Sequence, residues 1–206
     1  MTKSKTVVPE RPSTSDQILD AAEVLVQKGG FNAFSYADIS TAVGVSKATI
    51  HHHFPAKAVL GRCLIKRYSD RFFGMLSDLT RETASPLRRL RTYISIHAAL
   101  VQSDKLCLCG MLAAELPTLT GAMRTELEDF FQKNIAWVAS TVSDARSSGE
   151  AAFNQDPAQL GRLIIAGLDG LMILARTQSS SATFEADAWE LLSRIISTHP
   201  SNRPTG

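Results

Sequence analysis

The spacing of apolar residues is helical from the first regular segment of the chain. Between positions 15 and 28 apolar residues recur at intervals of three and four, which places them on one face of a helix. These residues are Ile18, Ala21, Ala22, Leu25 and Val26. The segment therefore predicts an amphipathic helix with one packed face, and the following glycine pair, Gly29 and Gly30, predicts its end.

The same spacing continues through the rest of the chain, and no segment alternates apolar and polar residues as a strand would. Further helices are expected at 36–43, 46–54, 57–82, 86–102, 110–116, 121–147, 157–177 and 184–198. The expected fold class is all-α, with about nine helices. We divide the chain into a polar, flexible arm (1–14), a small head (15–60), a helical body (61–199) and a tail (200–206).

The head contains two short helices that are separated by a tight turn. Ser35 is a natural N-cap for the first of them, and Asp38 completes a capping-box pattern. Gly44 lies at the turn, Ser46 can cap the second helix, and Pro55 discourages its continuation. This arrangement is typical of the helix-turn-helix motif, whose second helix enters the major groove of DNA.

Charge and cysteine content agree with a DNA-binding protein inside the cell. The formal net charge is +2, with nine Lys and Arg against five Asp and Glu up to position 67 and thirteen against fifteen afterwards. The three cysteines and the lack of an apolar leader indicate a reducing cytoplasm. The apolar run at 163–175 is too short to span a bilayer and contains Asp169, so no membrane partner is expected.

The end of the motif resembles the TetR family of bacterial one-component repressors. That family typically shows V-S-x-x-T-[LI]-Y-x-[HY]-F-x-x-K-x-x-L, and positions 45–60 here run VSKATIHHHFPAKAVL. His51 stands where the family usually has an aromatic residue that touches DNA phosphate. The resemblance covers positions 17–64. It implies a DNA-reading head, a ligand-binding and dimerising body, and a homodimer on a palindromic operator in double-stranded DNA.

Helical geometry divides the second helix of the motif into two faces. Ile50 and Phe54 lie four residues apart and are expected to face inward, so polar neighbours face DNA. The candidate DNA-binding residues are Ser35, Ser46, Lys47, Ala48, Thr49, His51, His52 and Lys57. For His53 two alternatives remain: a residue packed in the core or a DNA contact. Consecutive histidines point about 100° apart on a helix, so we expect no metal site.

A second resemblance concerns the middle of the body. Positions 106–116, LCLCGMLAAEL, look like the G-C-L-x-x-x-L-A-x-E-L stretch of one TetR subgroup, with Leu106 in place of its glycine. Cys107 matches a cysteine whose modification releases DNA in some members of that subgroup. The alternatives are a thiol sensor and a buried cysteine that packs as a small apolar side chain.

A small-molecule pocket between the central helices is the more general expectation. The candidate ligand-binding residues are Tyr93, His97, Cys107, Met111, Phe130, Phe131, Asn134, Trp137 and Met172. Asp169 is a single acid in an apolar helix, and the sequence leaves open whether it lies at a dimer seam, caps a neighbour or touches ligand.

The last two long helices suit a four-helix dimer interface, as the family resemblance implies. The candidate interface residues are Gly167, Leu168, Leu171, Trp189 and Ile196. Gly161, Gly167 and Gly170 interrupt the first of these helices, and close approach of another helix would offset the roughly 1 kcal/mol that each costs against alanine.

Three hypotheses for function follow. The leading one is a homodimeric, sequence-specific repressor that a small-molecule inducer releases from its operator. The first alternative is a repressor whose release signal is modification of Cys107, and the second is a helical adaptor that does not bind DNA. No catalytic triad, phosphate-binding loop or metal constellation is found in the sequence, so we expect neither an enzyme nor a cofactor.

Overall fold

A computed structural model describes residues 12–178 and 181–196 of the chain. Within these residues the chain forms nine α-helices and one short 3-10 helix, and no strand. The α-helices are α1 (Thr14–Gly29), α2 (Tyr36–Val43), α3 (Lys47–His53), α4 (Lys57–Glu82), α5 (Pro86–Gln102), α6 (Leu108–Ala114), α7 (Gly121–Ser147), α8 (Pro157–Thr177) and α9 (Phe184–Ile196). The all-α fold class is confirmed. Most of the expected arm, the end of the last helix and the tail lie outside the described residues.

Local hydrogen bonds fix the turn between α2 and α3. The Ser35 backbone N–H donates to the Asp38 carboxylate at 2.7 Å, which also lowers the pKa of that carboxyl. Gly44 ends α2 with a φ of 76°, a left-handed conformation that glycine adopts without a Cβ clash. The Thr49 N–H donates to the Ser46 hydroxyl at 3.0 Å and so starts α3. The capping signals in the sequence are confirmed.

The helix α4 joins the head to the body. Its first turns lie between the head and α7, where a Cβ at Gly61 would meet both Phe31 and Met123, and its later turns contact α7 through Phe72 and Phe130. The guanidinium of Arg67 reaches the Asp20 carboxylate on α1 at 2.5 Å. The head is small, and this packing on a longer neighbour gives it additional buried area.

The body is a bundle of α5, α7, α8 and α9. The helix α8 packs against α7 and α9, and α5 contacts all three of these helices. Where α4, α5 and α7 meet, the rings of Tyr68, Phe72, Tyr93 and Phe130 form a buried aromatic cluster, with the Phe72 and Phe130 centroids 5.5 Å apart. The body therefore has a continuous core that reaches the head through α4.

The sixth helix begins and ends two residues earlier than the apolar pattern predicts. It covers Leu108–Ala114, and a 3-10 turn, Leu116–Thr118, follows it. The earlier end is explained by Pro117, which disfavours helical geometry at the preceding residue, and nothing in the structure explains the earlier start. Glu115, with a ψ of 15°, is the C-cap residue of this helix.

Two of the three glycines in α8 lie where another helix approaches closely. A Cβ at Gly161 would be 2.9 Å from the Ile135 carbonyl oxygen of α7, and a Cβ at Gly167 would overlap the Leu191 side chain of α9. No described atom lies within 4 Å of a Cβ at Gly170. Close helix packing thus accounts for the first two glycines and not for the third.

Replacing Gly161 by alanine is expected to lower the free energy of unfolding by about 1–2 kcal/mol. A Cβ against a backbone oxygen forces α7 and α8 apart, at a cost of about 1–3 kcal/mol, and the gain in helix propensity offsets up to about 1 kcal/mol of that cost. Gly74→Ala is the matched control, since a Cβ at this exposed position of α4 meets nothing within 4 Å. In chemical denaturation the control should gain stability, and an equal gain at Gly161 would contradict the close packing.

The helix α8 is long and apolar enough to cross a membrane by length and composition alone. It has 21 residues with a mean hydropathy of 1.5 over its most apolar stretch, and 39% of that stretch is buried inside the protein. Helices in the core of water-soluble proteins have the same character. Its apolar residues with about half of their surface exposed are Leu163, Ile173 and Leu174.

Candidate DNA-binding face and ligand cavity

The helix α3 presents a polar face to solvent. Ile50 is fully buried and Phe54 nearly so, and both anchor the helix on the head core. Of the candidate residues on this helix, Lys47, Ala48, His51 and His52 are exposed, and Thr49 is half-buried. The predicted division into an inner and an outer face agrees with this exposure.

The three histidines at the end of α3 are all exposed. The His51 ring lies against the Tyr36 ring with the centroids 4.7 Å apart, and the Tyr36 hydroxyl donates to the Phe54 carbonyl at 2.7 Å. The alternative that His53 packs in the core is wrong. Tyr36 thus supports both His51 and the end of α3, a role that sequence reasoning missed because the contact is tertiary.

Lys57 is directed into the protein rather than away from it. Its ammonium donates to the Phe34 carbonyl and lies 4.2 Å from the centroid of the Phe34 ring and 4.9 Å from that of Phe31. Burial lowers the pKa of this amine, against the opposing effect of Glu115 and Asp38. The ammonium therefore closes the loop between α1 and α2, and this role competes with the phosphate contact expected from the sequence.

A cavity of about 200 Å³ opens between α6, α7 and α8. Four of the candidate ligand residues line it, namely Cys107, Met111, Phe131 and Met172. The sequence did not single out the other apolar lining residues, which are Leu106, Gly110, Ala113, Ala114 and Ile173. The remaining wall is formed by Asp169.

The other candidate ligand residues belong to the core and not to this cavity. They are Tyr93, His97, Phe130, Asn134 and Trp137. Hydrogen bonds within the protein engage several of their polar atoms: the Tyr93 hydroxyl donates to Asn134 at 3.1 Å, and the Trp137 indole donates to Thr80 at 3.0 Å. His97 shares a hydrogen bond with the Tyr93 carbonyl, and burial lowers its pKa. These five residues do not line this cavity, and their role as ligand contacts stays a prediction.

Cys107 lies at the cavity wall as a thiol and not as a thiolate. It is 7% exposed, and burial together with the Asp169 carboxylate raises its pKa from 9.0 to about 11. The Tyr68 hydroxyl is 3.9 Å from its sulfur. Reaction with an electrophile requires the thiolate, so the thiol-sensor alternative is not favoured.

Asp169 is the acidic residue of the cavity. No hydrogen bond or ion pair to its carboxylate is found within residues 12–178 and 181–196. A Cβ at Gly110 would lie 3.8 Å from each carboxylate oxygen, so the group faces α6 across the cavity. Burial raises the pKa of Asp169 from 3.8 to about 6. The sequence left open a dimer seam, a cap on a neighbouring helix and a ligand contact; the position in the cavity wall is consistent with a ligand contact.

The helix α6 joins the cavity to the head. The Glu115 carboxylate, directly after this helix, accepts the backbone N–H groups of Phe31 at 2.9 Å and Asn32 at 3.1 Å. A Cβ at Gly30 would lie 3.7 Å from the methyl group of the cavity residue Met111. One short helix therefore touches both the cavity and the loop that precedes α2.

The described chain corrects part of the predicted dimer interface. Leu168 and Ile196 are 1% and 0% exposed in the core of the protomer, so a partner cannot reach them. Gly167 faces the Leu191 side chain of the same chain. Leu171 and Trp189 are half-buried, and the Arg91 guanidinium covers the Trp189 ring at 3.6 Å. The periodicity placed these residues on helices correctly but did not distinguish the inner face from the outer one.

Two family models match most of the chain. The model for bacterial regulatory proteins of the tetR family matches residues 18–61, and the model for the tetracyclin repressor-like C-terminal domain matches residues 86–188. The two matches cover the head and most of the body.

Solved structures and a named relative agree with the family models. The structure of a TetR family regulator from Agrobacterium tumefaciens is 32% identical, covers 88% of this chain and 97% of its own, and has a TM-score of 0.84. A TetR regulator from Legionella pneumophila is 29% identical, covers 90% and 98%, and has a TM-score of 0.81. The transcriptional repressor DhaR from Mycobacterium sp. strain GP1 is 26% identical over 159 residues, 72% of this chain and 79% of its own.

Proposed function

The chain belongs to the TetR family of bacterial regulatory proteins, whose members are transcriptional regulators and not enzymes. On that premise we propose that it is a homodimeric repressor that binds a palindromic operator in the cytoplasm. A small molecule that occupies the cavity beside α6 releases it from DNA.

The observation that carries the DNA-binding part is the exposed polar face of α3. A capping serine holds this helix at its start, and Ile50 and Phe54 hold its inner side, so its outer side chains are presented on a rigid support. Lys47 can donate to guanine or phosphate, and Thr49 and His52 can bond base edges or phosphate. Ser35 and Ser46 lie at helix starts, where backbone amides attract phosphate.

Release requires that the ligand prefer the state that cannot bind DNA, since equal affinity for both states shifts nothing. The helix α6 offers the route. A ligand in the cavity presses on α6, and α6 positions the α1–α2 loop through Met111 and Glu115. A displacement there changes the position of the head and hence of α3.

Dimerisation is supported by the outer face of α8. Leu163, Ile173 and Leu174 are each about half exposed, and exposed apolar residues on one helix face favour a partner helix. We propose that this face, with Leu171 and Trp189 beside it, replaces the buried residues in the interface. Two heads related by a two-fold axis would contact two half-sites of a palindrome.

Replacing Lys47 by alanine is expected to weaken operator binding about tenfold, because one charged contact per half-site is lost. The operator is first obtained by selecting bound duplexes from a genomic pool, and affinity is then measured by fluorescence anisotropy at fixed salt. Lys133→Ala removes the same charge from the exposed side of α7 and serves as the control. Equal affinities of the two variants would exclude α3 as the recognition helix, and failure to select any duplex would refute DNA binding.

A further inference from the structure

The cavity beside α6 has apolar walls and one charged group. Among its lining residues Asp169 carries the one ionisable carboxyl, and the neighbouring wall residues are aliphatic, aromatic or sulfur-containing. Such a site selects ligands mainly by shape and apolar area, and its few polar groups decide the charge and orientation of the ligand. The carboxylate therefore determines which chemical class fits.

The described chain supplies no partner for this carboxylate. Asp169 is half-buried, and a carboxylate that is withdrawn from water without a hydrogen bond or a counter-charge is costly, so such charges in proteins are normally paired. The titratable groups that face Asp169 are Cys107 and Cys109 on the α6 side and Tyr93 on α5. Burial raises the pKa of all three, which keeps them uncharged at neutral pH. None of them can balance the negative charge.

The walls also suit a positive charge. Phe131 offers an aromatic ring, which attracts organic cations, and Met111 and Met172 offer flexible, polarisable side chains that adapt to the shape of alkyl groups. The volume is about 200 Å³. Since one water occupies about 30 Å³ of the liquid, the cavity holds a molecule of roughly seven non-hydrogen atoms.

We propose that the cavity binds a small organic cation of the alkylammonium class, with the Asp169 carboxylate as its counter-charge. This inference rests on the proposed function in one respect: the cavity is the inducer site of that proposal. The ammonium group lies against Asp169, and its alkyl substituents lie against Phe131, Met111 and Met172. Anions are excluded, because a second negative charge in an apolar cavity has no compensation.

The test compares probes of one shape and three charges on the free protein. The probes are choline, its neutral carbon analogue with a tert-butyl group in place of the trimethylammonium group, and the carboxylate anion of tert-butylacetic acid. Isothermal titration calorimetry at neutral pH measures their affinities for wild type, Asp169→Asn and the control Asp187→Asn. The control changes an exposed carboxylate in the first turn of α9.

The expected result is that wild type and Asp187→Asn bind choline at least about tenfold more tightly than the neutral analogue, and that Asp169→Asn loses this preference. No saturable binding of choline to wild type at about 10 mM, or equal affinity for choline and the neutral analogue, would overturn the proposal. The comparison of probes on wild type needs no variant, so a folding defect in Asp169→Asn leaves the test decisive.

The binding measurement contains no DNA, so its outcome is separate from that of the proposed function. If choline binds through Asp169 and operator affinity does not change, the cation site stands and ligand-controlled release fails. If a neutral metabolite releases the operator and wild type shows no cation preference, release stands and the cation site fails.

Discussion

Replacing Glu115 by alanine is expected to lower the free energy of unfolding by about 2–4 kcal/mol, because two charge-assisted hydrogen bonds between body and head are lost. The carboxylate accepts the Phe31 and Asn32 amides, and Phe31 is a buried residue of the head core. Without this acceptor the α1–α2 loop loses its link to α6. The amides of Phe31 and Asn32 should then exchange hydrogen faster, as measured by NMR.

The same substitution is expected to reduce the effect of an inducer on DNA affinity. Coupling between two sites is a free energy, and removing a contact that links the cavity helix α6 to the head reduces it. Glu128→Ala is the matched control, because it removes the same side chain from an exposed position of α7 and should change stability by less than about 0.5 kcal/mol. Equal stability of the two variants, or unchanged exchange at Phe31 and Asn32, would contradict a linking role for Glu115.

Local signals in the sequence predicted the head well. The capping box of Ser35 and Asp38, the left-handed turn at Gly44 and the cap at Ser46 each depend on residues within three or four positions of one another. The number of residues between the two members of such a capping pair determines whether they can form a hydrogen bond. The fold of the motif and the inward direction of Ile50 were therefore predictable without knowledge of the tertiary structure.

The contacts that link the elements were not predictable in the same way. Glu115 meets an amide 84 residues away in the chain, and Lys57 binds the carbonyl of Phe34, which lies in the loop between α1 and α2. Helical periodicity gives the apolar face of each helix and not the helix that it meets. The resemblance of positions 106–116 to a subgroup motif included Glu115, which was the one available signal for its role.

The ligand residues show the same distinction. Large aromatic and polar residues such as Tyr93 and Asn134 are typical candidates for a pocket in a sequence, yet in the structure both are buried in the core and bond to each other. The small residues Gly110 and Ala113 line the cavity, because space between crossing helices remains where side chains are short. The geometry at which the helices cross, which the sequence does not show, therefore determines which of the candidate ligand residues line the cavity.

Replacing Asp169 by asparagine is expected to raise the free energy of unfolding at pH 7 by about 2–3 kcal/mol. The folded protein raises the pKa of this carboxyl from 3.8 to about 6, so it binds the proton more tightly than the unfolded chain does. Wild-type stability then falls as pH rises through the window from about 4 to about 6, and the loss is complete above it. Each pKa unit corresponds to about 1.4 kcal/mol of stability. Asparagine is not ionised, so the variant does not lose this stability at pH 7.

The difference between the two proteins should therefore fall below about 1 kcal/mol at about pH 4, where Asp169 is protonated in folded wild type and partly protonated in the unfolded chain. Chemical denaturation at pH 4 and pH 7, at one protein concentration, measures it. Asp187→Asn, at an exposed carboxylate, should follow wild type at both pH values. A variant less stable than wild type at pH 7 would show that a counter-charge, such as one from a partner subunit, already pairs with Asp169. A gain in stability together with a loss of cation binding would mean that the chain retains a destabilising charge for its ligand, because function and stability make opposite demands at this position.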